Sequence, residues 1–249
     1  MVKIFIINLP TSTDRKKNIS KQLSLMNLEY HLFPAVNGKT DNHPLFSHYD
    51  DGLSQKFRSK SLTQGQLGCY ASHYLLWEKC VKLNEPIIVI EDDALIYPVP
   101  FLDFIQKASG LPQKYNCIRL FSNKRKTFNH AEEYKLSETS IHKFSKGHMS
   151  TTGYYLTPKA AQKFIEHSKS WYLAVDIFMD RFWVNGVDVY GTVPACLTND
   201  PKFDSDIGYG AKQSRSLKCK LSRERFNLAE LFRREYHNAC YKIRTKRKP

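Results

Sequence analysis

No stretch of this 249-residue chain approaches the roughly 18 consecutive apolar residues that a membrane-spanning helix requires. Its six cysteines, at 69, 80, 117, 196, 219 and 240, never fall into CxxC pairs, so the spacing suggests neither a zinc site nor a disulfide framework. A reducing, cytoplasmic setting is the expectation. The opening MVKIFIINLP carries one Lys, a short apolar run and no small-residue cleavage site, and reads as a first strand rather than a signal peptide. No repeat or low-complexity segment appears. Hydrophobic residues at 41% and charged residues at 25% fit an ordinary globular chain with enough apolar material for one large core.

Acidic residues are scarce beside basic ones, 24 against 38, which leaves a formal net charge of +14. The excess is concentrated. Residues 218–249 hold eleven Lys/Arg against three Glu, a net of +8. Such a segment fits contact with something acidic, either nucleic acid or an anionic membrane surface, and a solvated disordered end is the plainer reading. The expected division is a globular domain over 1–217 and a basic amphipathic tail over 218–249.

Short apolar runs alternate with helical patterns along the rest. Val2–Leu9 reads as a buried parallel strand, followed by a helix over RKKNISKQLSLMNL and a second strand ending at the Asn37-Gly38 turn. Residues 39–60 read as a loop. In LTQGQLGCYASHYLLWEKCVKLN, Thr63 and Gln66 form a capping box, and helical spacing lines up Gly65, Gly68, Cys69 and Ser72 on one strip. Two glycines on a helix face cost about 1 kcal/mol each relative to Ala. Something therefore approaches that face closely, either a packed neighbour or a ligand. Further strands are expected at PIIVI, YNCIRLF, STTGYYLT and VDVYGTVPAC, with helices opening at Thr157-Pro158 and over VDIFMDRFWV. Residues 122–148 are polar, and 200–216 reads as a loop. The alternation argues an α/β domain with a mostly parallel sheet.

The stretch PIIVIEDDALI poses the central question, because Glu91, Asp92 and Asp93 place three like charges at the end of an apolar strand. Ligands bind beyond the carboxyl ends of parallel strands. A divalent cation with a taste for oxygen ligands, Mn²⁺ or Mg²⁺, would relieve the repulsion there. A solvated acidic turn is the plainer reading, and phosphatases and nucleases also carry such clusters.

In order, FIINLPTSTDR, AVNG, LTQGQLGCYASH, IIVIEDDA, TTGYYLT, AVD and DSDIG make the chain, over roughly 2–210, resemble glycosyltransferase family 25. That family includes lipooligosaccharide galactosyltransferases of Gram-negative bacteria. The resemblance implies a GT-A fold, a nucleotide-binding α/β sheet whose metal motif would here be Glu91-Asp92-Asp93. Gln66 stands where the family more often has Glu, which keeps the capping role but removes a charge.

On this reading Asp93, assisted by Asp92 or Glu91, holds Mn²⁺ or Mg²⁺ against the departing diphosphate. Asn8, Leu9 and Arg15 receive the nucleotide, Val36 and Asn37 the uracil, and the strip of Gly65, Gly68, Cys69 and Ser72 admits the ligand against the helix. Thr152 and Gly153 line the sugar pocket, with His148 and Tyr154 stacking on a sugar face or serving as core. Asp176 is the first candidate for the general base, with a plain helix-capping role as its alternative, and Asp206 is the second, with completion of the metal or donor site as its alternative. His73 tempts as a base or ligand, but a lone His inside an aromatic-rich helix is more often a hydrogen-bonded structural residue.

The implied reaction is inverting β-galactosyl transfer from UDP-galactose to a lipooligosaccharide acceptor. The implied location is peripheral, on the inner face of the inner membrane of a Gram-negative bacterium, with residues 218–249 on the anionic surface. UDP-glucose is the nearest alternative donor. In other classes, a metal-dependent phosphoesterase leaves GQLGC and TTGYY unexplained. A nucleic-acid binder explains the charge alone, and no nucleic-acid partner is expected.

Overall fold

The computed structural model describes residues 1–203 and 217–246. The first half reads Lys3–Asn8 (β1), Thr13–Leu25 (α1), His31–Pro34 (β2), Asp51–Arg58 (α2), Gln64–Leu83 (α3), Ile87–Glu91 (β3), Ala94–Ile96 (β4) and Pro98–Ala108 (α4). There follow Cys117–Arg119 (β5), His130–Lys135 (β6), Ser140–Phe144 (β7), Gly153–Leu156 (β8), Pro158–His167 (α5), Val175–Met179 (α6), Phe182–Asn185 (α7), Tyr190–Val193 (β9), Leu197–Asn199 (β10) and Leu217–Lys246 (α8).

The main sheet runs β2-β1-β3-β8-β5-β9-β7-β6, with β4 and β10 forming a separate antiparallel pair. Strands β2, β1, β3, β5, β9 and β6 share one direction, while β8 and β7 oppose them. The mixed α/β fold with a mostly parallel sheet is therefore present, with the TTGYY strand as its reversed centre.

Period-2 alternation sorts the central strand between two cores. Ile88 and Ile90 join Ile4, Ile6, Ile19 and Phe104 on one face, whereas Ile87 and Val89 join Phe5, Tyr70, Trp77 and Phe164 on the other. Burying each such side chain contributes about 1.5–3 kcal/mol. Helix α3 buries Tyr70, Ala71, His73, Tyr74, Leu76 and Trp77, so it is covered nearly all round and lies within the domain. Its capping box forms as the sequence predicts, and Asn84 in the left-handed region ends it.

Three segments depart from the sequence reading. The polar stretch 39–60 folds into a 3-10 turn at Pro44–His48 and helix α2, whose start Asp50 caps by accepting from Leu53 N at 2.8 Å. The polar stretch 122–148 contains the β6–β7 hairpin. Strand β6 has no buried residue, so no apolar alternation marked it in the sequence. The VDIFMDRFWV segment splits into α6 and α7 around Asp180 and Arg181. Five cysteines are free thiols among the described residues.

Candidate active site

Register places Ile7 of β1 beside Glu91 of β3, so Asn8 and the acidic triplet emerge together at the carboxyl ends of two parallel strands. The three carboxylates then part. Glu91 continues the face of Val89 and turns to α3, where His73 Nε2 lies 3.1 Å from its Oε1 and Thr151 donates to the same oxygen at 2.6 Å. Asp92 continues the face of Ile90 and turns to α1, accepting from Asn8 Nδ2 at 2.7 Å and Arg15 Nη1 at 3.4 Å. Asp93 accepts from Asn199 Nδ2 through Oδ2 at 3.3 Å, while its buried Oδ1 has no partner among the described residues. Two of the three like charges are answered by protein groups. The third is half answered.

Electrostatics follows the partners. Burial alone would raise Glu91, yet the hydrogen bonds it accepts from His73 and Thr151 hold it below the usual carboxylate range. Asp92 is raised by burial, against the pull of Asn8 and Arg15. Asp93 is pushed up to about 7 by burial and then by the Glu91 charge, with Arg15 and Lys124 opposing. A carboxylate held this close to neutrality, with an orphaned oxygen, fits a cation as its missing partner. A second donor set, Cys69, His73 and Glu91, has ligand atoms within 4.8 Å of one another. It fits a metal less well. Both His73 nitrogens are engaged, by Glu91 and by Tyr154 OH at 2.9 Å, and burial raises the Cys69 thiol far above its ordinary value.

Two cavities meet at the triplet, one of about 290 Å³ and one of about 300 Å³, with Cys69, Glu91 and Asp93 on the wall of both. The first is bounded by Leu9, Arg15, Val36, Asn37, Gly65 and Ser72. The second runs past Thr151, Thr152, Lys124 and Asn199 to Asp176. One trough thus joins the loops after β1 and β2 to the start of α6.

Most expected site residues line this trough, but Asn8, Gly68 and Gly153 border neither cavity. Asn8 is buried and orients Asp92, also donating to Ser12 O at 3.2 Å. A Cβ on Gly68 would stand 2.5 Å from both Gly38 N and Val36 O, so the close neighbour of the α3 strip is the Val36–Gly38 backbone. Ser72 fastens that contact, accepting from Val36 N at 2.9 Å and donating to Gly68 O at 2.8 Å. Gly153 lines neither cavity, and its missing Cβ makes room for the Leu197 side chain.

His148 and Tyr154 do not offer a stacking face, because they are 1% and 0% exposed. Tyr154 instead accepts from Trp77 Nε1 at 3.2 Å, leaving its own proton for His73 Nδ1 and the Nε2 proton for Glu91. His73 is accordingly a fixed structural link to Glu91. Asp176 sits one residue inside α6, behind Ala174 at the cap position, and faces the second cavity. Its pKa is raised by burial, then by the charges of Asp180 and Glu91. Asp206 lies outside the described residues.

Sequence reasoning missed Asn199, Lys124 and Asp180. Lys124 Nζ donates to Asn199 Oδ1 at 2.9 Å, fixing the amide that serves Asp93. Asp180 accepts from Arg119 at 3.2 Å, from Arg125 at 3.3 Å and from the backbone of His148 and Met149, anchoring the loop that carries Ser150 and Thr151. Only the tertiary pairing of β10 with β4 brings Asn199 to the triplet, and no local motif announces it.

A family model, glycosyltransferase family 25 (LPS biosynthesis protein), matches residues 1–179. The chain belongs to glycosyltransferase family 25. A "Glycosyltransferase 25 family member" of Anopheles gambiae is 30% identical over 192 residues, covering 73% of this chain but 32% of that protein. The chain therefore spans about a third of that relative's length. "Lipooligosaccharide biosynthesis protein lic2B" of Haemophilus influenzae is 23% identical over 214 residues, covering 82% of this chain and 78% of the relative. Human "Procollagen galactosyltransferase 2" is 32% identical over 96 residues, 36% of this chain and 15% of that protein. No described helix is long and apolar enough to cross a membrane.

Proposed function

We propose that the protein transfers galactose from UDP-galactose to a lipooligosaccharide acceptor, with inversion and with Mn²⁺ or Mg²⁺ held at Asp93. The observation that carries this reading is the orphaned, buried Asp93 Oδ1 at the junction of two cavities. Asp93 would hold the cation, with Glu91 adding charge nearby. Asp92, with its oxygens engaged by Asn8 and Arg15, supports the site through those partners. When bound, the cation supplies Lewis-acid stabilisation of the departing diphosphate.

The chain's own residues divide the remaining work. Arg15 and the loop at Val36–Asn37 border the first cavity and suit a nucleotide diphosphate. Thr151 and Thr152 offer hydroxyls to a sugar where the cavities meet. Asp176 takes the proton from the acceptor hydroxyl as the sugar transfers. Burial, with the charges of Asp180 and Glu91, raises its pKa and so strengthens it as a base.

Support for the substrates comes from the names of relatives, lipooligosaccharide biosynthesis for one and galactosyltransferase for another. A glycolipid acceptor in the inner leaflet of a Gram-negative inner membrane suits the basic C-terminal segment. UDP-glucose differs from UDP-galactose at one epimeric hydroxyl and is the alternative donor. The experiment is calorimetric titration with UDP, with and without Mn²⁺, for the wild type and Asp93→Ala. Metal-dependent binding that the variant loses is expected. Absence of UDP binding under every metal condition would overturn the reading.

A further inference from the structure

Helix α8 is a continuous 30-residue element with two unlike faces. One is fastened to the domain. Arg181 makes a bidentate pair with Glu230, Nε to Oε2 at 2.5 Å and Nη2 to Oε1 at 3.0 Å. Phe226 stacks on Phe57 at 4.7 Å, Asn238 donates to Ser145 O at 3.0 Å, and Tyr241 donates to Glu133 at 2.9 Å. At about 100° per residue these contacts centre on the direction of Glu230.

The opposite face is apolar and uncovered. Leu221, Leu228, Phe232, Tyr236 and Ile243 are 64%, 52%, 66%, 74% and 52% exposed. By the same geometry they fall within an arc of roughly 80° opposite Glu230. A helix resting on the domain with one apolar face would ordinarily turn that face inward. Here the inward face is largely polar or ion-paired, and the apolar stripe points out.

Charge indicates what covers the stripe. By the same geometry exposed Arg225 falls within the stripe, and exposed Lys242 and Arg233 flank it on either side. Two exposed acids, Glu224 and Glu235, are each paired with an adjacent arginine, at 2.6 and 2.9 Å. An apolar stripe rimmed by cations is the pattern of a helix lying in the plane of an anionic lipid surface.

We infer that α8 docks flat on an anionic membrane through Leu221, Leu228, Phe232, Tyr236 and Ile243, and that it acts as a rigid strut. Glu230 grips Arg181, which adjoins Asp180 and lies five residues beyond Asp176. The lipid plane is therefore held in a fixed relation to the catalytic trough, whereas a loose basic tail would only tether the enzyme nearby. This consequence for catalysis rests on the glycolipid acceptor proposed above. The docking itself does not.

The test is co-sedimentation of the full chain with phosphatidylglycerol-containing vesicles and with pure phosphatidylcholine vesicles, without any nucleotide or acceptor. Strong binding to the anionic vesicles is expected. The double variant Leu228→Ser/Phe232→Ser should lower the partition coefficient about tenfold or more, while its circular dichroism and UDP binding stay those of the wild type. Equal binding to both vesicle types, or undiminished binding of the variant, overturns the proposal. So does a concentration-dependent dimer in ultracentrifugation that the variant abolishes, since a second copy would then cover the stripe. Because the vesicle assay contains no UDP, its failure is distinguishable from failure of the glycosyltransferase substrates, which calorimetry reads separately.

Discussion

His73 Nε2 lies 3.1 Å from Glu91 Oε1, joining the fully buried centre of α3 to the first carboxylate of the acidic triplet. That pair lets Glu91 remain ionised in a partly buried position, and the charge so retained helps raise Asp93. His73→Ala leaves Glu91 and the Tyr154 hydroxyl each short of a partner. A loss of about 1–3 kcal/mol is expected in urea unfolding. His73→Gln, which can still donate to Glu91, should lose less. Equal loss in both variants would show that packing rather than the hydrogen bond sets the cost.

Asp93 gives a pH dependence of definite sign. Its folded-state value, about 7, lies above the ordinary carboxylate value, so the folded chain binds more proton than the unfolded chain between them. Its contribution to stability therefore falls as pH rises from about 4 to about 7. Without metal, Asp93→Asn should gain melting temperature relative to the wild type across that window. Saturating Mn²⁺ should stabilise the wild type most at the upper end and leave the variant unmoved. A difference between the two proteins that stays flat with pH would remove Asp93 from this role.

The contact between Gly68 and the Val36–Gly38 backbone predicts a coupling of fold and binding. Gly68→Ala drives a methyl to 2.5 Å from Gly38 N and Val36 O unless the loop retreats. Overpacking of this kind costs about 1–3 kcal/mol. Because the displaced loop borders the first cavity, UDP affinity should fall along with stability. Unchanged affinity in the variant would separate the loop from the nucleotide.

Asp176→Asn tests the base. Loss of a general base lowers kcat by about 10²–10⁴-fold, and UDP binding by calorimetry should be unaffected because Asp176 borders only the second cavity. Full transfer activity in the variant would move the base elsewhere.

Much of this was written locally. The apolar runs at Lys3–Asn8 and Ile87–Glu91 and the capping box Thr63–Gln66 specify the inner strands and α3 through period and cap chemistry. The triplet announces itself, since three acids after an apolar strand are electrostatically costly without compensation. Helix α2 and the β6–β7 hairpin were not legible, because polar, half-exposed segments carry little hydrophobic period to read.

What the sequence could not determine is how the charges are shared. Alternation along β3 sends Glu91 and Asp92 to opposite faces, but only the assembled fold puts His73 on one face and Arg15 on the other. It also brings Asn199, 106 residues from Asp93, to the third acid. The same holds for α8. Its basic, apolar-studded composition is plain in the sequence, whereas the choice of inward face depends on Arg181 reaching Glu230. Local pattern sets which elements form. Which polar groups meet in the interior is decided by tertiary packing, because partners distant in sequence acquire their energy only when the fold removes water from between them.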